Sequence, residues 1–129
     1  MKKPKWINRR VIITIHEELL HRFGGLAGIR DDGLLESALT RPQQLFGYGK
    51  PTLFEMAAAY AFGIAKNYPF LHGNKRSALM SAALFLEANG LSFQATEESA
   101  VERTLALAAG AIGEKEYALW LKKSCVKMG

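Results

Sequence analysis

Apolar residues recur along this chain mainly at the three- and four-residue spacing of amphipathic helices, and strand-like alternation is scarce, so the pattern predicts an all-α protein. A first helix is expected from Asn8 or Arg9 to Phe23, capped by Asn8 and stopped by Gly24-Gly25. Asp31-Asp32 predicts the start of a short helix that ends before Pro42, and Gln43 to Pro51 then reads as an exposed loop or small hairpin. Thr52-Leu53-Phe54-Glu55 has the form of a capping box and opens a helix to about Asn67. That helix and the next, from Asn74 to Asn89, are apolar on almost every face, which marks both as buried. Only Tyr68 to Gly73 separates them, so the pair is expected to run antiparallel through the middle of one compact domain. Leu91 to Phe93 reads as a short extended piece, Thr96 starts a further helix, and a last one covers Glu114 to Lys123.

Composition narrows the class. A chain of 129 residues with 49% hydrophobic and 22% charged positions suits a single globular domain and excludes disordered or collagen-like sequence. A net charge of +5 would ordinarily suggest a nucleic-acid partner. Lys2, Lys3, Lys5, Arg9 and Arg10 account for all of that excess, and the rest of the chain is neutral, so no nucleic-acid partner is expected. The division is therefore a basic N-terminal arm, residues 1–7, followed by a domain, residues 8–129, with Trp6 and Ile7 suited to docking the arm. One cysteine, Cys125, allows no intrachain disulfide, and no apolar signal segment follows the basic start, so a cytoplasmic location is expected. The uncharged helical runs Met56 to Ala65 and Ser77 to Leu86 fall far short of the roughly 18 residues that span a bilayer, so no membrane partner is expected either.

Candidate chemistry concentrates in the connector Tyr68-Pro69-Phe70-Leu71-His72-Gly73-Asn74-Lys75-Arg76. Gly73 permits close backbone approach, the helix start that follows offers unpaired N–H groups, and Lys75 and Arg76 place two charges in its first turn. Basic residues there oppose the helix dipole, and an anion such as phosphate would compensate them. The alternative is structural: Asn74 acts as an N-cap and the two cations are merely solvated.

This segment resembles the signature of the Fic/Doc family, His-x-Phe-x-Asp/Glu-Gly/Ala-Asn-Gly/Lys-Arg, in its Doc form, where Lys precedes the Arg. Phe23-Gly24-Gly25-Leu26-Ala27-Gly28-Ile29-Arg30-Asp31, Leu34 to Leu39, and Ala78 to Gly90 also resemble Doc sequences in order, so the likeness covers nearly the whole chain. The resemblance implies the compact helical Doc fold, with Phe70 anchoring the loop, Gly73 and Asn74 shaping an anion hole, and Lys75 and Arg76 engaging nucleotide phosphate. It further implies transfer of the terminal phosphoryl group of ATP to a protein hydroxyl, that of elongation factor Tu, with arrest of translation. Leu45, Phe46, Gly47 and Tyr48 correspond by position to the flap that aligns the target. The implied partner is a Phd-like antitoxin, since no internal inhibitory helix is present.

Two positions depart from the signature. Tyr68 stands where the family has the His that activates the attacking hydroxyl, and His72 stands where it has the carboxylate that binds Mg²⁺. A phenol, with an ordinary pKa of about 10, is almost wholly protonated at neutral pH and makes a poor general base. Imidazole is a poor substitute for the oxygen ligands Mg²⁺ prefers. The expectation is a persisting phosphate site with weakened catalysis, or a catalytically inactive nucleotide- or partner-binding module. A third arrangement would let His72 act as base in place of Tyr68.

Other signals weigh less. His16 and His21 flank Glu17-Glu18-Leu19-Leu20, but five residues of helix turn their rings roughly 140° apart, which disfavours a shared zinc. Gly73-x-Lys75-x-Ser77 lacks the earlier glycine of a P-loop, Cys125 reads as a bystander thiol, and Ser77 and Ser81 as small residues for close packing.

Overall fold

The protein is described here from a computed structural model covering residues 3–128; Lys2, part of the basic arm, lies outside the described residues. The described chain is all-α apart from one two-stranded ribbon, with helices α1 (Arg9–Phe23), α2 (Asp32–Tyr48), α3 (Leu53–Asn67), α4 (Asn74–Ala88), α5 (Glu97–Ala109) and α6 (Glu114–Lys123). Strand β1 (Leu91–Phe93) pairs antiparallel with β2 (Cys125–Lys127). The second strand had no sequence signal. It is short, and its partner lies across the chain.

Capping follows the sequence closely. Asn8 Oδ1 accepts from the Val11 N–H, Asp31 Oδ1 from the Leu34 N–H, and Thr96 Oγ1 from the Ser99 N–H. Thr52 and Glu55 close the full capping box, at 2.7 Å and 3.1 Å. These bonds satisfy N–H groups that the first helical turn leaves orphaned.

Helix α3 is the core. Met56, Ala57, Ala58, Ala59, Tyr60, Ala61, Gly63, Ile64 and Ala65 are all buried, which requires neighbours on every side. They are supplied by α2, α4, α5 and α6, with α4 turning back along α3 in the most extensive contact. Gly63 is what lets α2 come close, because a Cβ there would lie 3.0 Å from the Cα and Cβ of Ala38. Ser77 and Ser81, expected as small residues for close packing, are fully buried on α4, where the Ser81 hydroxyl donates to the Ser77 carbonyl at 2.6 Å.

Helix α2 corrects the expectation drawn from Pro42. Instead of ending before that residue, the helix continues through it to Tyr48, and Leu45, Phe46, Gly47 and Tyr48 are helical rather than a loop. Proline forfeits one hydrogen bond and crowds the carbonyl four residues back, at about 3 kcal/mol in a free helix. Here Leu35, Ala38, Leu39 and Pro42 itself are buried along one face, and that burial outweighs the lost bond.

The arm packs on the domain. The Ile7 N–H donates to the Tyr60 hydroxyl at 2.9 Å, and Trp6 stacks on Phe85 and meets Phe46 edge-on. Asn89 exchanges two hydrogen bonds with the Lys5 backbone. Among the described residues no helix is long and apolar enough to cross a membrane.

Candidate functional site

The connector between α3 and α4 is fixed from three directions. Tyr68 caps α3 in the left-handed region, at φ 50°, the only non-glycine among the described residues with positive φ. Arg30 holds that turn: its Nε donates to the Tyr68 carbonyl at 2.6 Å and its Nη2 to the Asn67 carbonyl at 2.7 Å. The strand-like segment at residues 28–31 then pairs with residues 69–71, through Arg30 N–H to Pro69 O and Leu71 N–H to Gly28 O.

From the inside, Phe70 is buried and its ring lies flat against His16 of α1, with centroids 3.8 Å apart. His16 is buried too, and its Nε2 donates to the His72 carbonyl at 2.7 Å. His21 is exposed, so the two histidines of α1 do face apart, and no group of metal-binding side chains occurs among the described residues. Sequence reasoning weighed His16 only as a metal ligand. Its contact with the connector depends on a fold-level approach that spacing along α1 could not announce.

Asn74 closes the loop on itself. Its Oδ1 accepts from the Phe70 N–H at 2.9 Å and its Nδ2 donates to the Phe70 carbonyl at 3.0 Å. Asn74 is thus not the N-cap; that position belongs to Gly73, at φ 80°, and no side chain caps α4. The first N–H groups of α4 therefore lack the side-chain acceptor that α1, α2, α3 and α5 each have.

A cavity of about 220 Å³ opens at this uncapped helix start, lined by Tyr68, Gly73, Asn74, Lys75 and Arg76. Lys75 and Arg76 are exposed and form no ion pair among the described residues. Arg76 instead places its guanidinium over the Phe23 ring, 4.1 Å from the centroid. Free donors, a helix dipole and two cations fit a phosphate chain, and the volume is below the roughly 300–1,000 Å³ of a site enclosing a whole small molecule.

His72 stays out of this cavity. Its Nδ1 accepts from the Leu26 N–H at 2.9 Å, which turns the ring toward the loop after α1. No carboxylate lines the cavity, so its donors do not fit Mg²⁺. None of the candidate flap residues lines this cavity: Leu45 borders a separate hollow with Glu55, Glu114, Lys115 and Ala118, Phe46 packs on Trp6, and Tyr48 is 92% exposed.

Helices α1 to α4 and the connector they frame are the portion that matches the profile of the Fic/DOC family, over residues 6–86. The chain belongs to that family, in its Doc branch. It is 36% identical over 118 residues to the Protein kinase doc of Escherichia phage P1, covering 91% of this chain and 93% of that protein. It is 41% identical over 75 residues to the Toxin Doc of Mycolicibacterium smegmatis (strain ATCC 700084 / mc(2)155), covering 57% and 58%.

Proposed function

We propose that this chain is a Doc-type toxin of a toxin–antitoxin module that binds ATP by its phosphates and has a severely weakened capacity to transfer the terminal phosphoryl group to a protein hydroxyl. One observation carries the reading. The α4 start is uncapped, and its two first-turn cations, Lys75 and Arg76, line the adjoining cavity without ion-pair partners. ATP would supply the phosphoryl group. On the protein side, backbone N–H groups of α4 and the Arg76 guanidinium would neutralise phosphate charge, while Lys75 reaches the same cavity as a mobile cation.

Tyr68 lines the cavity and can orient a hydroxyl by hydrogen bonding, but a neutral phenol takes up a proton poorly. His72 is engaged with Leu26, which favours the second reading, a nucleotide- or partner-binding module without catalysis. Kinship with a protein kinase and a toxin supports a toxin with an antitoxin partner, and the resemblance to the family signature makes elongation factor Tu the target to test and a Phd-like antitoxin in the same cytoplasm the controlling partner. Within this reading the basic arm, residues 1–7, extends the domain, on which Lys5, Trp6 and Ile7 are docked, rather than serving as a nucleic-acid arm.

Calorimetric titration with ATP, with and without Mg²⁺, is expected to show binding by the unmodified chain. Phosphate transfer to elongation factor Tu should be near background, and should rise by about 10²-fold or more in the Tyr68→His/His72→Asp variant. Binding with no such gain would leave the binding-module reading. Absence of both binding and transfer would refute the phosphate site.

A further inference from the structure

The α1 terminus contributes a residue to the phosphate site that the family signature does not contain. We infer that Phe23 is a positioning residue for Arg76, holding its guanidinium by the face so that the edge stays free for phosphate. This rests on the phosphate-site reading above and deepens it.

Phe23 is the last residue of α1, just before the Gly24 cap, and is 51% exposed. An exposed aromatic at a helix end has little packing reason to be there, yet this ring carries the Arg76 guanidinium 4.1 Å from its centroid. The choice of partner matters chemically. A carboxylate would take the in-plane N–H donors of arginine, which are the groups a phosphate needs. An aromatic face attracts the cation through its quadrupole and leaves all five in-plane donors available. Arg9 spends its donors on Asp32 and Glu36 and Arg30 on two carbonyls, and Arg41, the other arginine over an aromatic face, that of Phe62, also gives one to Glu114, whereas Arg76 makes no such bond among the described residues. Phe23 therefore limits where Arg76 can go without consuming what it offers. Because α1 also carries His16 against the connector, one helix orients both the loop and its cation.

The test is a double-substitution cycle. Phe23→Leu keeps apolar bulk but removes the ring face, Phe23→Trp keeps a face, and each is made alone and with Arg76→Ala. ATP affinity should fall about two- to five-fold in Phe23→Leu, return in Phe23→Trp, and show no further fall when Phe23→Leu is added to Arg76→Ala. Without nucleotide, the Arg76 side-chain protons should be shifted upfield in NMR spectra of the unmodified chain and lose that shift in Phe23→Leu. An equal affinity loss in the Arg76→Ala background, no loss at all, or an unshifted Arg76 overturns the role of Phe23 while leaving the phosphate site standing. Failure of the unmodified chain to bind ATP overturns the site itself, and this inference with it.

Discussion

Asn74 shows how much of the connector depends on a single side chain. Its amide makes a reciprocal pair of hydrogen bonds with the Phe70 backbone inside the protein, so the loop has a closed ring at its centre. In Asn74→Ala both Phe70 groups would be left buried and unpaired, at about 1–3 kcal/mol each. Asn74→Asp can still accept from the N–H but sets a carboxylate against the Phe70 carbonyl. Both variants should unfold at lower urea concentration, with Asn74→Asp no better than Asn74→Ala; an unchanged midpoint would show that the ring is dispensable. That Gly73, Asn74, Lys75 and Arg76 line one cavity was legible in the sequence because they are contiguous. The contacts of Phe23, His16 and Arg30 with the connector were not legible, because each reaches it from another element and no local spacing encodes such contacts.

Among the elements, α2 and α3 meet most closely where Gly63 faces Ala38. Alanine is the better helix former by about 1 kcal/mol, so an isolated α3 would gain from Gly63→Ala. In the folded protein the added methyl would press on backbone as well as side chain, and overpacking of this kind costs about 1–3 kcal/mol. The close approach should win, giving a net loss of stability in thermal unfolding; a higher melting temperature would mean that α2 can slide. This packing also explains which helices were legible. α1, α3 and α5 announce themselves by caps and α4 and α6 by their apolar spacing; the observed bounds of α1, α3, α4 and α6 and the start of α5 agree with the expected ones to within a residue or so. α2 was cut short because Pro42 is a local stop signal, overridden by burial against α3 that no local window contains. β2 was missed for the same reason, since Cys125–Lys127 is extended only through its pairing with Leu91–Phe93.

For the whole molecule, the buried polar groups set a pH limit. Tyr60 and Tyr117 are fully buried, and burial pushes each phenol up to about 12, against the opposing effect of hydrogen bonds to Ile7 and Thr104. Unfolded, both ionise near the ordinary tyrosine value of about 10. Between those values the unfolded chain binds fewer protons than the folded one, so stability falls as pH rises through this window, and this contribution is flat below it. Melting temperatures measured from about pH 8 to 12 should show the decline, and Tyr117→Phe should make it shallower. The same slope in both proteins would exclude Tyr117 as a cause. Thr104 loses little in that variant, because its hydroxyl still donates to the Ala100 carbonyl at 2.8 Å.

The turn after α4 has a practical consequence. Lys5 is tied to Asn89, and the Met128 N–H donates to the Gly90 carbonyl at 3.0 Å, so the first and last described segments converge on one corner. α4 separates that corner from the cavity at its own start by its full length, about 22 Å at 1.5 Å per residue. Fluorophores or surface tethers attached to the side chains at Lys5 or Met128 would thus leave the molecule from the pole remote from the cavity.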